Sequence, residues 1–199
     1  MRIISGKAGS IRLRIPRGSD IRPSEDRLKE ALFASLGDLR EKNVLDLFSG
    51  SGALGLEALS RGAGRVIMLE KNPAYLRCIE QNLASVKKAL GTDCGQVKIV
   101  TADARHTSRL LAEWAGKMEV ILADPPYHPP AGEFGAAELL LQEEFAAWAG
   151  EDCVLALEHQ YGENLPAYPK SNWKILRQKR FGSRALTFWK QKIAAAPEA

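Results

Sequence analysis

From residue 43 onward, short and almost unbroken apolar runs alternate with amphipathic stretches, and this alternation restricts the fold more than any other feature. The runs are Val44-Leu45-Asp46-Leu47-Phe48, Val66-Ile67-Met68-Leu69, Val97-Lys98-Ile99-Val100, Val120-Ile121-Leu122-Ala123 and Cys153-Val154-Leu155-Ala156-Leu157. Continuous apolarity of this length suits strands covered on both faces, as in a parallel sheet. One segment between them reads clearly as a helix: Asn72 caps, Pro73 takes the first turn, and Leu76, Ile79, Leu83, Val86 and Leu90 recur at helical spacing before Gly91. A second amphipathic stretch follows residue 133, with Leu140, Leu141, Phe145 and Trp148 expected to be buried. The pattern predicts an α/β fold with a doubly wound, mostly parallel sheet. After residue 170 the period changes, and residues 172–180 and 184–190 flank Phe181-Gly182-Ser183 as an antiparallel hairpin that closes the sheet.

Ahead of this domain, residues 2–5 and 10–15 are expected to pair around Gly6-Lys7-Ala8-Gly9 as a small β-hairpin. Ser24 then caps a helix with Leu28, Ala31, Leu32 and Leu36 on its apolar face and Gly37 at its end. With 199 residues there is room for one core, so we expect a basic N-terminal extension over 1–22, a main domain over 23–192 and a flexible tail over 193–199. The net charge of +4 is a cancellation, because residues 1–22 hold six basic groups and one acidic, residues 170–192 hold eight basic and none acidic, and the stretch between is acidic. Two basic ends suggest a phosphate-backbone footprint.

Cys78, Cys94 and Cys153 are odd in number and widely spaced, which argues against a disulfide framework or zinc ribbon and for a reducing compartment. His106 and His159 lack ligand-like spacing, so no metal is expected, and His128 reads as a loop histidine. Trp114, Trp148, Trp173 and Trp189 read as packing residues. The first residues lack the apolar stretch of a signal peptide and no run is long enough to span a membrane, so a cytoplasmic location is expected.

Chemistry concentrates at two places. Asp46-Leu47-Phe48-Ser49-Gly50-Ser51-Gly52-Ala53-Leu54-Gly55 leaves the first buried strand and enters a helix, where glycines allow a sharp turn and close approach of backbone to ligand. Gly50, Gly52 and Gly55 satisfy G-x-G-x-x-G, and Glu70 lies 20 residues beyond Gly50, where a ribose-binding acid belongs. A dinucleotide is the first guess from this pattern, which is too short to decide which nucleotide-like cofactor binds. The second place is Asp124-Pro125-Pro126-Tyr127, directly after the fourth buried strand. Two prolines stiffen the backbone and remove its donors, leaving acceptor oxygens beside an aromatic ring, which suits a planar base carrying an exocyclic amino group.

These blocks resemble class I S-adenosylmethionine-dependent methyltransferases of the amino-modifying kind, which carry (D/N)-P-P-(F/Y). Together with Arg22-Pro23-Ser24-Glu25-Asp26-Arg27 and Arg180-Phe181-Gly182, the chain more narrowly resembles the RsmD family, with serine at position 24 where that family usually has threonine. The resemblance implies a seven-stranded Rossmann-like sheet and methyl transfer to N2 of a guanine in small-subunit (16S) ribosomal RNA. It implies that Asp46 and the loop Phe48, Ser49, Gly50, Ser51 and Gly52 hold the methionine part of the cofactor, Glu70 its ribose, and Asp103 with Ala104 its adenine. Arg22 is expected to meet either the cofactor carboxylate or RNA phosphate. Asp124, Pro125, Pro126 and Tyr127 form the implied catalytic set, and Arg2, Lys7, Arg12, Arg14, Arg17, Arg27, Arg180 and Arg184 the expected RNA contacts. The expected partner is the RNA itself or an assembling ribosomal particle, with the enzyme acting as a monomer. The same motif also serves methylation of DNA adenine or protein glutamine, and the glycine spacing alone admits a noncatalytic nucleotide-binding module or a small NAD-type dehydrogenase.

Overall fold

The computed structural model describes residues 1–16, 24–127 and 133–191. Arg17, Arg22, Pro23, His128, the Pro129-Pro130 loop and the tail therefore lie outside the described residues.

The elements run in the order α1 (Ser24–Leu36), β1 (Asn43–Leu47), α2 (Ala53–Ser60), β2 (Arg65–Glu70), α3 (Pro73–Leu90), β3 (Gln96–Thr101) and α4 (Thr107–Leu110). They continue with β4 (Val120–Ala123), α5 (Ala136–Leu141), α6 (Glu143–Ala149), β5 (Val154–Gln160), β6 (Trp173–Phe181) and β7 (Arg184–Gln191). The seven strands form one sheet in the order β3-β2-β1-β4-β5-β7-β6. Strands β1 to β5 pair in parallel, while β7 runs antiparallel to both β5 and β6, as the change of pattern after residue 170 predicts.

Side chains of the central strands alternate between two cores. Val44, Val66, Met68 and Leu122 join Leu32 and Phe33 of α1, Leu56 and Leu59 of α2, and Ile79 of α3. Leu45, Ile67, Leu69 and Ile121 join Leu139, Phe145 and Trp148 beneath the other face. This two-sided burial is why those strands read as continuous apolar runs.

Two expectations need correction. Strand β3 is an edge strand and is not covered on both faces, so Gln96, Lys98 and Thr101 face solvent. The stretch after residue 133 is broken into two short helices, and the break at Gln142 leaves Leu141 53% exposed while Leu140, Phe145 and Trp148 are buried. The four tryptophans pack as expected: Trp148, Trp173 and Trp189 are buried, and half-buried Trp114 packs against the same core with Arg65 and Lys117 at its ring.

The N-terminal segment pairs antiparallel, with Ile3 N donating to Ile11 O (2.9 Å) and Leu13 N to Met1 O (3.1 Å), although only the Arg2–Arg12 bridge is regular. Ile3, Ala8 and Leu13 are buried in the α1–α3 core. The segment is fastened to α2 by Glu57, which is fully buried and accepts Ile4 N (2.7 Å), Ser5 N (3.0 Å) and Arg61 Nε (2.9 Å). Lys29 Nζ stands 3.6 Å from Glu57, and Ser60 Oγ donates to Ser5 O (2.6 Å). At the other end of the sheet from β3, β6 is the last strand, and its residues 174–180, including Lys174, Arg177, Lys179 and Arg180, are exposed. No helix among the described residues is long and apolar enough to cross a membrane.

Candidate active site

The sheet order reverses between β1 and β4, the switch point at which α/β sheets open a crevice beyond their carboxyl ends. Because Leu47 pairs with Ala123, the chains leave the sheet side by side there, as Phe48 and Asp124. Glu70 ends β2, and Asp103 follows β3 by two residues. Adjacent strand exits thus carry acids into one cleft of about 410 Å³, lined by Asp46, Glu70, Asp103 and Asp124.

The loop after β1 is held open by its own backbone. Phe48 (φ 56°) and Gly50 (φ 52°) are both left-handed, a region that glycine enters without penalty and phenylalanine does not. The Phe48 ring stacks on Phe134 with centroids 6.3 Å apart. Ser49 N donates to Leu69 O (3.1 Å) and Gly50 N to Glu70 Oε2 (2.8 Å), tying the loop to the end of β2. Glu70 Oε1 accepts Asn72 N (2.7 Å), so the same carboxylate also fixes the start of α3. Asp46 is fully buried and accepts Gly55 N at 2.8 Å. Burial pushes its carboxyl up to about 7, helped by the nearby Glu70 charge and opposed by the Gly55 bond. A Cβ at Gly55 would sit 2.8 Å from Met68 Cγ and 3.0 Å from Asp46 Oδ2, so this glycine is needed for packing.

Asp103 is held below the ordinary carboxylate range: its partial burial works the other way, but Arg105 supplies a backbone and a side-chain bond and Lys71 lies 3.4 Å from Oδ2. It therefore enters the cleft as an ionised acceptor.

Of the residues expected to hold cofactor, Phe48, Ser49, Gly50, Ser51 and Ala104 also line the cleft. Gly52 does not, since it packs against Ile79, Leu56 and Met68. Asp124 and Pro126 face the cleft, whereas Pro125 is buried and Tyr127 turns toward a smaller pocket behind it. There Tyr127 Oη donates to Glu158 Oε1 at 2.5 Å.

Among the expected RNA contacts, Arg2, Lys7, Arg12, Arg14, Arg27 and Arg180 are exposed. Arg2 pairs with Asp26, Lys7 with Asp93, and Arg180 stacks on Tyr161 at 4.1 Å. Arg184 differs from the expectation, because its side chain is 11% exposed and bonded to buried Glu158 at 3.1 Å.

Sequence reasoning missed Met1 and Ile15, which bring the N-terminal segment to the rim of the cleft. It also missed Asn82, a buried α3 residue that bonds Arg14 N (2.7 Å), Arg14 O (2.9 Å) and Ser51 O (3.0 Å), and so joins that segment to the glycine loop. Nothing local marks these contacts. Among the described residues, no group of three or more histidines, cysteines or acids could hold a metal ion.

Comparison with known proteins adds four findings. Residues 1–190 match the family described as Conserved hypothetical protein 95. The chain is 30% identical over 200 residues to Ribosomal RNA small subunit methyltransferase D of Escherichia coli (strain K12), covering 100% of this chain and 94% of that protein. Among solved structures, the Escherichia coli candidate methyltransferase yhhF superposes with a TM-score of 0.75 at 30% identity, covering 96% of this chain and 98% of that one. SMU.776, a candidate methyltransferase complexed with SAH, shares the fold at a TM-score of 0.63 and 16% identity, over 85% of this chain and 50% of its own.

Proposed function

The chain belongs to the RsmD family, and from that premise we propose that it transfers a methyl group from S-adenosylmethionine to the exocyclic N2 of a guanine in small-subunit (16S) ribosomal RNA. The observation that carries this reading is the β1–β4 pairing, which sets the glycine loop and Asp124 at neighbouring strand exits of one cleft. Membership of the family, not the crevice, sets aside the dehydrogenase and noncatalytic readings.

The donor set fits the cofactor. Its ribose hydroxyls and adenine amino group are hydrogen-bond donors, and the cleft offers Glu70 and ionised Asp103, which as carboxylates only accept. Its volume is in the range of small-molecule sites. Asp46 and residues Phe48–Ser51 would hold the methionine part, Glu70 the ribose, and Asp103 with Ala104 the adenine. When bound, S-adenosylmethionine supplies an electrophilic methyl group.

The chain's own residues do the rest by positioning. The N2 lone pair of guanine is delocalised into the ring, so the amino group is a poor nucleophile until it is oriented. The Asp124 carboxylate and the Pro125 carbonyl accept its two N–H bonds, which aims the lone pair across the cleft. Asp124 then takes the proton that the nitrogen releases. A base stacked in a helix cannot offer this edge at depth, so the target nucleotide is splayed out beside Tyr127. Segment 1–22 serves as the RNA-gripping extension of the 23–192 domain, a role supported by Met1 and Ile15 at the rim. We place the enzyme in the cytoplasm as a monomer, and its three unpaired cysteines agree with a reducing compartment.

The test is incubation with methyl-labelled S-adenosylmethionine and undermodified small subunits or their naked RNA, followed by mapping of the label. Label on guanine N2 of that RNA is expected; label on another atom, or none with either substrate, would overturn the reading.

A further inference from the structure

Behind Asp124–Tyr127 lies a second cavity of about 120 Å³, walled by Pro125, Pro126, Tyr127, Glu158, His159 and Glu163. Glu158 has no task in the proposed function. It sits near the carboxyl end of β5 and is only 5% exposed, an expensive place for a carboxylate. Two donors converge on its Oε1: Arg184 Nη1 from β7 at 3.1 Å, and the hydroxyl of Tyr127 at 2.5 Å.

The guanidinium alone would compensate the charge, so the tyrosine bond is additional. Its effect is mechanical. Pro125 and Pro126 stiffen the backbone up to Tyr127 but leave its side chain to rotate about Cα–Cβ. Fixing the hydroxyl, at the far end of the ring axis, removes that rotation. We propose that the carboxylate of Glu158 is a positioning residue for methyl transfer, which anchors the Tyr127 hydroxyl and so holds the ring at the angle on which the target base stacks beside Asp124. Arg184, brought opposite by the β5–β7 pairing, holds Glu158 in turn. The antiparallel hairpin thereby becomes part of the active site. This inference rests on the methyltransferase reading and adds a residue that the motif does not contain.

The experiment compares Tyr127→Phe, Glu158→Gln and the double variant, each checked for a native melting transition, by kcat and by KM for RNA and cofactor. Phenylalanine keeps the ring and glutamine keeps the volume, but each removes the charge-assisted bond. Each single change is expected to lower kcat about tenfold with an unchanged KM for the cofactor, and the double variant to match Tyr127→Phe alone. The proposal is overturned if Glu158→Gln leaves kcat at the wild-type value, or lowers it by the same factor with phenylalanine at position 127.

Spectrophotometric titration supplies a readout without turnover. Burial, and then the Glu158 bond and charge, raise the Tyr127 phenol above its ordinary value, so Glu158→Gln should lower the onset of Tyr127 ionisation, which is assigned by its loss in Tyr127→Phe. An unchanged onset also overturns the proposal. A wild-type protein that labels no ribosomal RNA would sink the proposed function, and the titration would still decide whether Glu158 holds Tyr127.

Discussion

Gly55 N donates to Asp46 Oδ2 across 2.8 Å, so the first turn of α2 is bonded to the penultimate residue of β1, across the glycine loop that separates them. The carboxyl that accepts this bond is buried and is raised from 3.8 to about 7. Between those values the unfolded chain releases a proton that the folded protein keeps, so the contribution of Asp46 to stability is full below about pH 4 and is lost as pH rises through about 7. Asp46→Asn should therefore unfold at higher denaturant concentration than wild type at pH 8 and at a similar concentration at pH 4. It should also bind S-adenosylmethionine more weakly, since the cofactor's cationic groups favour the ionised acid. Paired denaturation curves and calorimetric titration check both halves.

Asp124 is exposed at the mouth of the cleft, so Asp124→Ala should melt at the wild-type temperature. Methyl transfer should fall by at least about a hundredfold while cofactor affinity holds, because an oriented acceptor is lost and little packing is. Wild-type turnover in this variant would remove the assigned role.

Glu57→Ala should behave in the opposite way. It leaves the Ile4 and Ser5 amides, Lys29 and Arg61 without their shared acceptor, and breaking such a buried ionic cluster costs about 3 to 5 kcal/mol. Hydrogen exchange should reveal residues 2–13 losing protection first, and equilibrium unfolding should report the loss of stability.

Neutralising Arg12, Arg14 and Arg180 together should weaken RNA binding and flatten its salt dependence by about 0.7 in log–log slope for each phosphate contact removed. Arg184→Gln should instead lower stability and leave the slope unchanged, because its charge is spent on Glu158. Filter binding over a salt series separates the two.

What was legible in the sequence is what short-range pattern encodes. Strands β1, β2, β4 and β5 announced themselves because both their faces are covered, and the glycine loop and Asp124 because tight turns and rigid exits need particular residues. Strand β3 reads like the others, yet nothing in Val97-Lys98-Ile99-Val100 says that no strand lies beyond it. Glu57 reads as an ordinary helix-surface acid and becomes a buried anchor only because a segment more than fifty residues earlier folds onto it. Asn82, Met1 and Ile15 are of the same kind: their roles arise from contacts between distant parts of the chain. Arg184 misled for a related reason, since a cation beside a hairpin turn looks like a phosphate ligand until the strand opposite is seen to carry Glu158.

Strand β6 ends the sheet with nine residues of backbone edge, and its exposed Ile175 and Leu176 would favour another copy adding a strand there. Lys174, Arg177, Lys179 and Arg180 stand along the same edge with no acid among them. Two copies meeting edge to edge would set like charge against like, so strand addition and the fibrous aggregation it begins are opposed, while a polyanion meets no such barrier. These cations keep the sheet finite.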